Sequence, residues 1–333
     1  MANYKNIKGF NIQYLDSDPP NPIEGQMWFN STTQTLKGAE ASGGVPVGTW
    51  ASGGNLNTTR GQPGGAGTQT DALAFGGQAP PGKQAVTELY NGSSWTEVAD
   101  LNQARRSRGT GATSSAALFV GGDGPADTAV VESWNGTSWT EIADLNSARR
   151  NLGVAGIQTA AIASGGTAPP YGLTEIWNGT SWTEVNDLNN IRSQHGSFGI
   201  STDAVAMGGV VMPAGSPDIA KTEVWNGTSW TEVNNLNTAK DLPVGIGTSS
   251  SIGLSAGGRQ NPSGTYLTQT ESWDGTSWTE INDLGTATGD ATSKGVGSTT
   301  SGLIAGGYVS GGFTNATQEW NAPPISIKTF TTS

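Results

Sequence analysis

Short apolar runs that end in a glycine pair recur along the chain, from "ALAFGG" at Ala72 to "GLIAGG" at Gly302. The runs contain β-branched, aromatic or alternating residues and are bounded by turn residues, which predicts β-strands. Their regular return predicts a repeat architecture. The second glycines are Gly77, Gly122, Gly166, Gly209, Gly258 and Gly307, with successive spacings of 45, 44, 43, 49 and 49 residues.

A second motif, "EIWNGTSWTEVNDLN" from Glu175, carries two tryptophans on either side of an Asn-Gly pair. Asn-Gly between alternating residues predicts a two-residue type I′ hairpin turn, since both central positions need a positive φ. Such a turn would place Trp177 and Trp182 diagonally on one face, with Glu175 opposite Trp182. The motif therefore predicts one hairpin in each repeat. Related copies begin at Glu88, Glu132, Glu223 and Glu271.

Each repeat reads as a Leu-Asn-x-Ala-Arg segment, a glycine-rich segment, the apolar run, a variable loop and the tryptophan hairpin. Four strands at a period of 43 to 49 residues predict one propeller blade, because a propeller repeats a four-stranded sheet at about this period. We therefore predict an all-β fold with a six-bladed β-propeller.

The sixth repeat has Trp320 but no second tryptophan after it. Trp50 lies 45 residues before Trp95, in phase with the second tryptophan of each repeat. We expect the strand around Trp50 to complete the last blade beside 316–321, which closes the ring and covers an edge strand. A seventh blade built on "QMWFNSTTQTLKG" is the alternative, but Trp28 is 22 residues from Trp50, against five within each hairpin.

Residues before the first repeat are out of phase with the array and contain a proline cluster and a glycine-rich linker. They hold too few apolar residues for a core of their own. We expect an extended arm that docks on a partner subunit through Phe10, Tyr14, Trp28 and Phe29, the alternative being a tether that packs loosely on the propeller. The predicted domains are a docking arm and linker at 1–47, the propeller at 48–321 and a tail at 322–333.

Composition narrows the class of protein. Fifty glycines and 34% hydrophobic residues disfavour long helices. The net charge of -11 argues against nucleic acid as a partner. No apolar stretch is long enough to span a membrane, and the first residues lack the apolar core of a signal peptide, so neither membrane insertion nor Sec-type export is expected. The absence of cysteine removes thiolate chemistry.

The order arginine, apolar strand, Gly-Gly, aromatic and tryptophan resembles the kelch repeat over residues 48–321. One departure is that the hairpin between the two aromatic residues is shorter than in most kelch repeats. The segments "GAGTQTDALAFGG" and "WNGTSWTEV" are similar to segments of kelch-type proteins of marine tailed bacteriophages, including cyanophages. The segment "PPNPIEGQMWFNSTTQTLKG" from Pro19 resembles leader segments of phage tail-fibre and other virion proteins.

This resemblance implies a non-enzymatic virion structural protein, made in the host cytoplasm without a signal peptide. It would be a tail or tail-fibre component that docks by its arm and presents the propeller for host recognition. Its expected partners are other virion subunits through residues 1–47, with a host surface glycan or protein and a further copy of the chain also considered. A capsid decoration, neck or nozzle component is the alternative virion role. A soluble kelch-type adaptor and a glycan-binding or glycan-active propeller remain as other classes.

A cation begins the inner strand of nearly every repeat, with Thr288 in its place in the sixth. These cations are candidates for a ring at the mouth of the central channel that binds an anionic sugar, a phosphate or a partner's carboxylate. The alternative is that each pairs with a repeated carboxylate such as Glu141 or Asp144. The residues are Arg60, Arg105, Arg149, Arg192 and Lys240.

The loops after each Gly-Gly pair differ in length and carry the aromatic residues Tyr171, Tyr266, Tyr308 and Phe313. In an antiparallel blade these loops open on the same face as the cations. Loops on a rigid scaffold commonly carry binding function, which makes this face the candidate binding face. Surface loops also vary without function, and the sequence leaves both interpretations open.

Catalytic chemistry has little support in the sequence. His195 is the only histidine and has no repeated counterpart. "SWDGTSW" at Ser272 is similar to the aspartate box of sialidase propellers, but its spacing is one residue short. A retaining glycosidase needs two carboxyl groups about 5 Å apart, and no unrepeated carboxylate pair stands out. We therefore expect no catalytic residue, metal or cofactor.

Overall fold

The computed structural model describes residues 12–19, 26–40, 48–213, 217–292, 296–322 and 326–330. These residues form strands, turns and loops without any helix, which confirms the predicted all-β class. None of their elements is a helix with the length and hydropathy needed to cross a membrane. The chain divides into a larger unit, 49–321, and a smaller unit that combines 1–48 with 322–333.

The larger unit consists of six four-stranded antiparallel sheets, numbered here in chain order. Sheets 1 to 5 each take their four strands from one repeat, and sheet 6 takes three strands from the last repeat and one from before the first. Sheet 1 comprises Gly64–Thr68, Asp71–Phe75, Thr87–Tyr90 and Trp95–Val98; sheet 2, Arg106–Thr113, Ala116–Asp123, Asp127–Trp134 and Trp139–Glu141; sheet 3, Gly153–Ile157, Ala160–Ser164, Thr174–Trp177 and Trp182–Val185. Sheet 4 comprises Gly196–Ile200, Asp203–Met207, Thr222–Trp225 and Trp230–Val233; sheet 5, Val244–Ser249, Ile252–Ala256, Thr270–Trp273 and Trp278–Ile281; sheet 6, Val296–Gly297, Ser301–Ala305, Thr317–Asn321 and Thr49–Ser52.

Backbone hydrogen bonds join each sheet to the next at the Gly-Gly pairs. The N–H of Gly77 donates to the carbonyl of Arg105 at 2.9 Å, and the equivalent bond recurs in every later sheet until Gly307 donates to Arg60 at 2.9 Å. The first strands of the six sheets also contact one another in order, and that of sheet 6 contacts that of sheet 1. Glycine is needed at Gly77 because φ is 107° and a Cβ there would lie 2.8 Å from the Gly61 carbonyl oxygen.

The strand around Trp50 pairs with the last strand of the final repeat, as predicted. Trp50 lies opposite Trp320 in the antiparallel register, with ring centroids 5.4 Å apart. The indole N–H of Trp50 donates to Thr270 Oγ1 at 3.0 Å, which links this strand to sheet 5. The pairing covers the edge that Thr317–Asn321 would otherwise expose.

The tryptophan hairpin differs from the predicted geometry. Trp177 lies directly opposite Trp182, and Glu175 lies opposite Glu184, so the turn contains four residues and the type I′ prediction is wrong. The physical reason lies in the asparagine side chain: Asn178 Oδ1 accepts hydrogen bonds from the backbone N–H groups of residues 180 and 181 at 2.9 and 3.0 Å. This local bonding favours a wider turn over the two-residue form.

The hydrophobic core lies between neighbouring sheets. Between sheets 3 and 4, for example, Trp225 and Trp230 pack with Ile162 and Leu188, all of them buried. Burial of side chains of this size stabilises by about 1.5–3 kcal/mol each. The apolar face of each repeat is therefore covered only when the next sheet is present.

In the described part of the larger unit, four short two-stranded pairings lie beside the main sheets, three each within a single loop and one between two segments. They position the side chains at one end of the first strands, including those of two predicted loop tyrosines. The pairings are Gln78–Ala79 with Gly82–Lys83, Arg192–Ser193 with Val210–Val211, Arg259–Gln260 with Thr265–Tyr266, and Tyr308–Val309 with Gly312–Phe313.

The smaller unit contains a four-stranded sheet, so its described part is not the extended arm that was predicted. Strand Gln13–Leu15 runs parallel to Met27–Asn30, which pairs with Thr35–Glu40, and Ser326–Phe330 completes the sheet. The predicted tail thus belongs with the N-terminal residues. Pairing with a segment distant in the sequence supplies the backbone partners that the N-terminal residues lack on their own.

A hydrogen-bonded carboxylate holds the smaller unit together. Asp18 accepts hydrogen bonds from Trp28 Nε1 at 3.0 Å, Asn30 Nδ2 at 2.8 Å and Lys37 Nζ at 2.6 Å. These bonds, that of Lys37 first, lower the pKa of Asp18 to about 2. Trp28 is completely buried and cannot act as the predicted docking side chain, whereas Tyr14 is 78% exposed. Phe10 and the linker 41–47 lie outside the described residues.

Candidate binding site

The repeated cations are buried in ion pairs and do not reach solvent. Arg60 lies 3.1 Å from Glu88 and Arg192 lies 2.7 Å from Glu223, and all four side chains are fully buried. The partner is the first glutamate of the hairpin motif, so neither Glu141 nor Asp144 fills that role. The complete set is Arg60–Glu88, Arg105–Glu132, Arg149–Glu175, Arg192–Glu223 and Lys240–Glu271.

Burial therefore contradicts the prediction that these cations bind an external anion. Burial lowers the pKa of Arg60 to about 10, and the charge of Glu88 opposes that shift. The guanidinium remains charged at neutral pH, and its interaction is internal. Removing one partner of a buried pair costs about 3–5 kcal/mol because it leaves the other charge uncompensated. These residues belong to the scaffold that positions the loops.

A polar cavity of about 220 Å³ lies at the end of the first strands where the chain enters each sheet. Its walls come from the segments that lead into the first strand of each sheet, called entry segments below, and from the loops after each Gly-Gly pair. This confirms that these two sets of segments lie at the same end of the sheets. A second cavity, of about 340 Å³ and lined mainly by glycine and apolar residues, lies at the other end of the same strands. The polar cavity is lined by Gln62, Arg106, Asn151, Gln194, Leu242, Arg259, Tyr266, Asp290 and Tyr308.

Backbone hydrogen bonds between entry segments hold five of these residues in register. The N–H of Gln194 donates to the Asn151 carbonyl at 2.8 Å, and Leu242 donates to Gln194 at 2.8 Å. Asp290 donates to Leu242 at 3.0 Å and Gln62 to Asp290 at 2.9 Å. All five have a φ between 54° and 60°, a region that non-glycine residues seldom adopt. Such unusual backbone persists where the surroundings impose it and often marks a functional site.

Two tyrosines form the aromatic part of the wall. Tyr308 packs against Phe313 with ring centroids 5.0 Å apart. A Cβ at Gly61 would lie 2.6 Å from the Tyr308 ring, and a Cβ at Gly289 would lie 3.1 Å from the Tyr266 ring. The two glycines thus provide the space in which the tyrosine rings are held.

The charges at the cavity are largely compensated within the protein. Arg106 Nε lies 2.8 Å from Asp123, and Arg106 Nη1 donates to the Tyr308 hydroxyl at 3.4 Å. Arg259 contacts both carboxylate oxygens of Asp241, at 3.2 and 2.6 Å.

Asp290, which is 3% exposed, lies with one oxygen 3.1 Å from Arg108 Nη1. Burial raises the pKa of Asp290 against the opposing charges of Arg108 and Arg106. Burial also raises the pKa of Tyr308. The cavity therefore combines neutral donors and acceptors with internally paired charges.

Of the predicted loop aromatics, Tyr266 and Tyr308 line the cavity and Phe313 supports Tyr308. Tyr171 lies in the loop of sheet 3 and is not part of the lining. The polar residues of the entry segments were not predicted from the sequence. Their position in the repeat could have revealed them. The residue two places after each repeated cation differs from one repeat to the next, in an otherwise regular array. These positions hold Gln62, Ser107, Asn151, Gln194, Leu242 and, two residues after Thr288, Asp290. Apart from Ser107, all of them line the cavity.

His195 lies inside the scaffold. Its side chain is 1% exposed, and Nε2 lies 3.2 Å from Ser164 Oγ. Burial, together with the charges of Arg192 and Arg108, lowers the pKa of His195 well below its usual value. Among the described residues no group of three or more histidine, cysteine, aspartate and glutamate side chains is arranged to hold a metal ion.

No protein-family model matches the sequence, and no curated protein is similar enough to be reported as a relative.

Proposed function

We propose that this chain is a bacteriophage virion protein that attaches through its smaller unit and presents a six-bladed, kelch-type β-propeller for host recognition. The observation that carries the proposal is the distribution of polar residues in the larger unit. Its repeated charges are consumed in buried ion pairs, while the unrepeated polar and aromatic residues collect around one cavity. A rigid repetitive scaffold with one variable end is suited to recognition.

The propeller assignment is supported by contacts that return from sheet 6 to sheet 1. Gly307 hydrogen-bonds Arg60, and the indole N–H of Trp95 in sheet 1 donates to Thr317 Oγ1 in sheet 6 at 3.0 Å. Trp50 supplies the outermost strand of sheet 6. A closed ring of sheets protects its edges and gives each sheet two neighbours.

The attachment role is supported by an exposed tyrosine of the smaller unit. Tyr14 is 78% exposed, and its ring lies 5.3 Å from that of Phe29. Tyrosine offers large, rigid contact area and is enriched at protein interfaces. With Trp28 buried and Phe29 half-buried, Tyr14 is the exposed side chain among the described residues of the predicted docking set.

The test measures incorporation into particles. In host cells infected by the phage that encodes the protein, we would express the tagged full chain, a fragment of residues 49–321 and the full-length Tyr171→Ala variant. We expect mass spectrometry of purified particles to find the full chain and the Tyr171→Ala control, and to find no fragment. Absence of the full chain from particles would overturn the virion role. Incorporation of the fragment at full occupancy would instead assign docking to the larger unit.

A further inference from the structure

We infer that the polar cavity of the larger unit binds one neutral sugar residue of a surface glycan. The inference rests on the proposed recognition function and specifies its ligand. The cavity is bounded by two tyrosine rings, three amide side chains, two arginines and one buried carboxyl group. Pockets of this kind recognise ligands through a few placed polar groups beside hydrophobic or aromatic surface.

The hydrogen-bonding groups match a ligand that both donates and accepts. Gln62 Nε2 donates to Asn151 Oδ1 at 3.1 Å, which links the two amides across the cavity wall. Gln194 Oε1 is buried and receives no hydrogen bond from any described residue. A buried acceptor without a donor costs about 1–3 kcal/mol. A sugar hydroxyl can donate to this oxygen and still accept from another group, since each hydroxyl has one donor and two acceptor sites.

The tyrosines supply the apolar complement. The C–H groups of a sugar ring form an apolar face, and an aromatic ring presents a flat apolar body with a polar hydroxyl at its edge. Tyr308 is held by Phe313, and the space at Gly61 and Gly289 positions the two tyrosine rings beside the cavity. Little side-chain entropy is lost on binding when rings are already held in place.

The charge pattern favours a neutral ligand over an anion. Arg106 shares Asp123 with Lys83, and Arg259 contacts both oxygens of Asp241, so each arginine of the lining already has a carboxylate partner. Asp290 adds a further carboxyl group to the lining. An anionic sugar or an acidic peptide would approach these carboxylates and would compete with them for the same arginines.

The size of the cavity limits the ligand to one ring. Its volume of about 220 Å³ corresponds to the liquid volume of about seven waters. This is below the usual range for drug-sized ligands, about 300–1,000 Å³. A single monosaccharide residue at the end of a glycan chain fits this volume, with the rest of the chain outside.

The experiment uses the full chain and saturation-transfer NMR with free neutral hexoses, deoxyhexoses, pentoses and N-acetylhexosamines. N-acetylneuraminic acid and N-acetylglutamate serve as anionic probes. We expect saturation transfer to at least one neutral sugar and none to the anions. Gln194→Asn withdraws the buried acceptor while keeping a residue that tolerates positive φ, and should weaken binding by about tenfold, as loss of one buried hydrogen bond does.

Tyr308→Ala should abolish the transfer, and Tyr171→Ala, outside the cavity, should leave it unchanged. Melting curves of each variant separate lost binding from lost folding. Absence of transfer to every neutral sugar, stronger binding of an anionic probe, or a sugar affinity that Gln194→Asn leaves unchanged would each overturn the inference. Particle incorporation reports on the proposed virion role independently, because it is measured on attachment and requires no sugar.

Discussion

A single hydroxyl group recurs at the contact between neighbouring sheets. The second tryptophan of a hairpin donates its indole N–H to a threonine of the preceding sheet at 3.0 to 3.1 Å. Trp182 is the exception: its Nε1 is buried and has no hydrogen-bond partner among the described residues, and Val131 occupies the position of the threonine. The pairs are Trp95–Thr317, Trp139–Thr87, Trp230–Thr174, Trp278–Thr222 and Trp50–Thr270.

Val131→Thr should stabilise the protein, because it supplies an acceptor to the unpaired Trp182 N–H with little change of volume. We expect the free energy of unfolding to rise by about 1 kcal/mol, the usual net contribution of a hydrogen bond. Denaturant unfolding would measure it. In a Trp182→Phe background the same substitution should destabilise, since the new hydroxyl would be buried without a donor. Equal effects in both backgrounds would contradict the assignment.

The entry segment is the element that carries the chain from one sheet to the next. In sheet 2, the backbone N–H and Nδ2 of Asn102 donate to Glu132 Oε2 at 2.7 and 2.8 Å, and Arg105 pairs with the other oxygen. In sheet 6 the glutamate is replaced by Gln318, and Gly285 and Thr288 replace the asparagine and the cation. The charges disappear together, as expected where one buried charge alone is costly.

Sheet 6 therefore predicts which uncharged residues can replace a buried ion pair. Lys240→Thr alone should lower the free energy of unfolding by about 3–5 kcal/mol, because it leaves Glu271 buried without its cation. Adding Glu271→Gln reproduces the Thr288 and Gln318 arrangement and should recover most of the loss. Denaturant unfolding at pH 7 compares the two. If the double variant were no more stable than the single one, the loss of stability could not be attributed to the unpaired charge of Glu271.

At the scale of the whole molecule, the larger unit begins and ends in the same sheet. Thr49 lies opposite Asn321 in sheet 6, so the two ends of this unit are adjacent. The smaller unit likewise pairs its N-terminal residues with Ser326–Phe330. Each of the two units therefore forms sheets from its own strands.

Residues 49–321 should therefore fold without the rest of the chain. A fragment of 54–321 lacks the strand around Trp50, leaves Thr317–Asn321 as an exposed edge, and should melt earlier and aggregate. A circular permutant that appends 47–53 after residue 321 places four residues between Trp320 and Trp50, as in the other hairpins. It should restore the melting temperature of the 49–321 fragment, because the strand then reaches the same edge from its other end. Scanning calorimetry and light scattering compare the three. Equal melting of all three would contradict the role of this strand.

The sequence by itself determined the repeating elements. Period-two alternation, the Gly-Gly pairs and the tryptophan motif are local signals, and their return every 43 to 49 residues identified the sheets and the order of their strands. The phase of Trp50 also identified its pairing with Trp320, because a repeat that lacks one strand must find it elsewhere. The turn was predicted less well, since the side-chain bonds of Asn178 compete with the backbone preference for a two-residue turn.

Only the tertiary structure decided which charges are buried and which polar residues meet. Arg60 and Glu88 are far apart in the sequence, and several carboxylates were available to each cation. The cavity brings together Asn151, Gln194 and Asp290 from different repeats, and Trp28 is buried in a sheet that the C-terminal strand completes. These contacts join segments that are distant in the sequence. A local sequence pattern does not specify which residues of two such segments lie opposite each other.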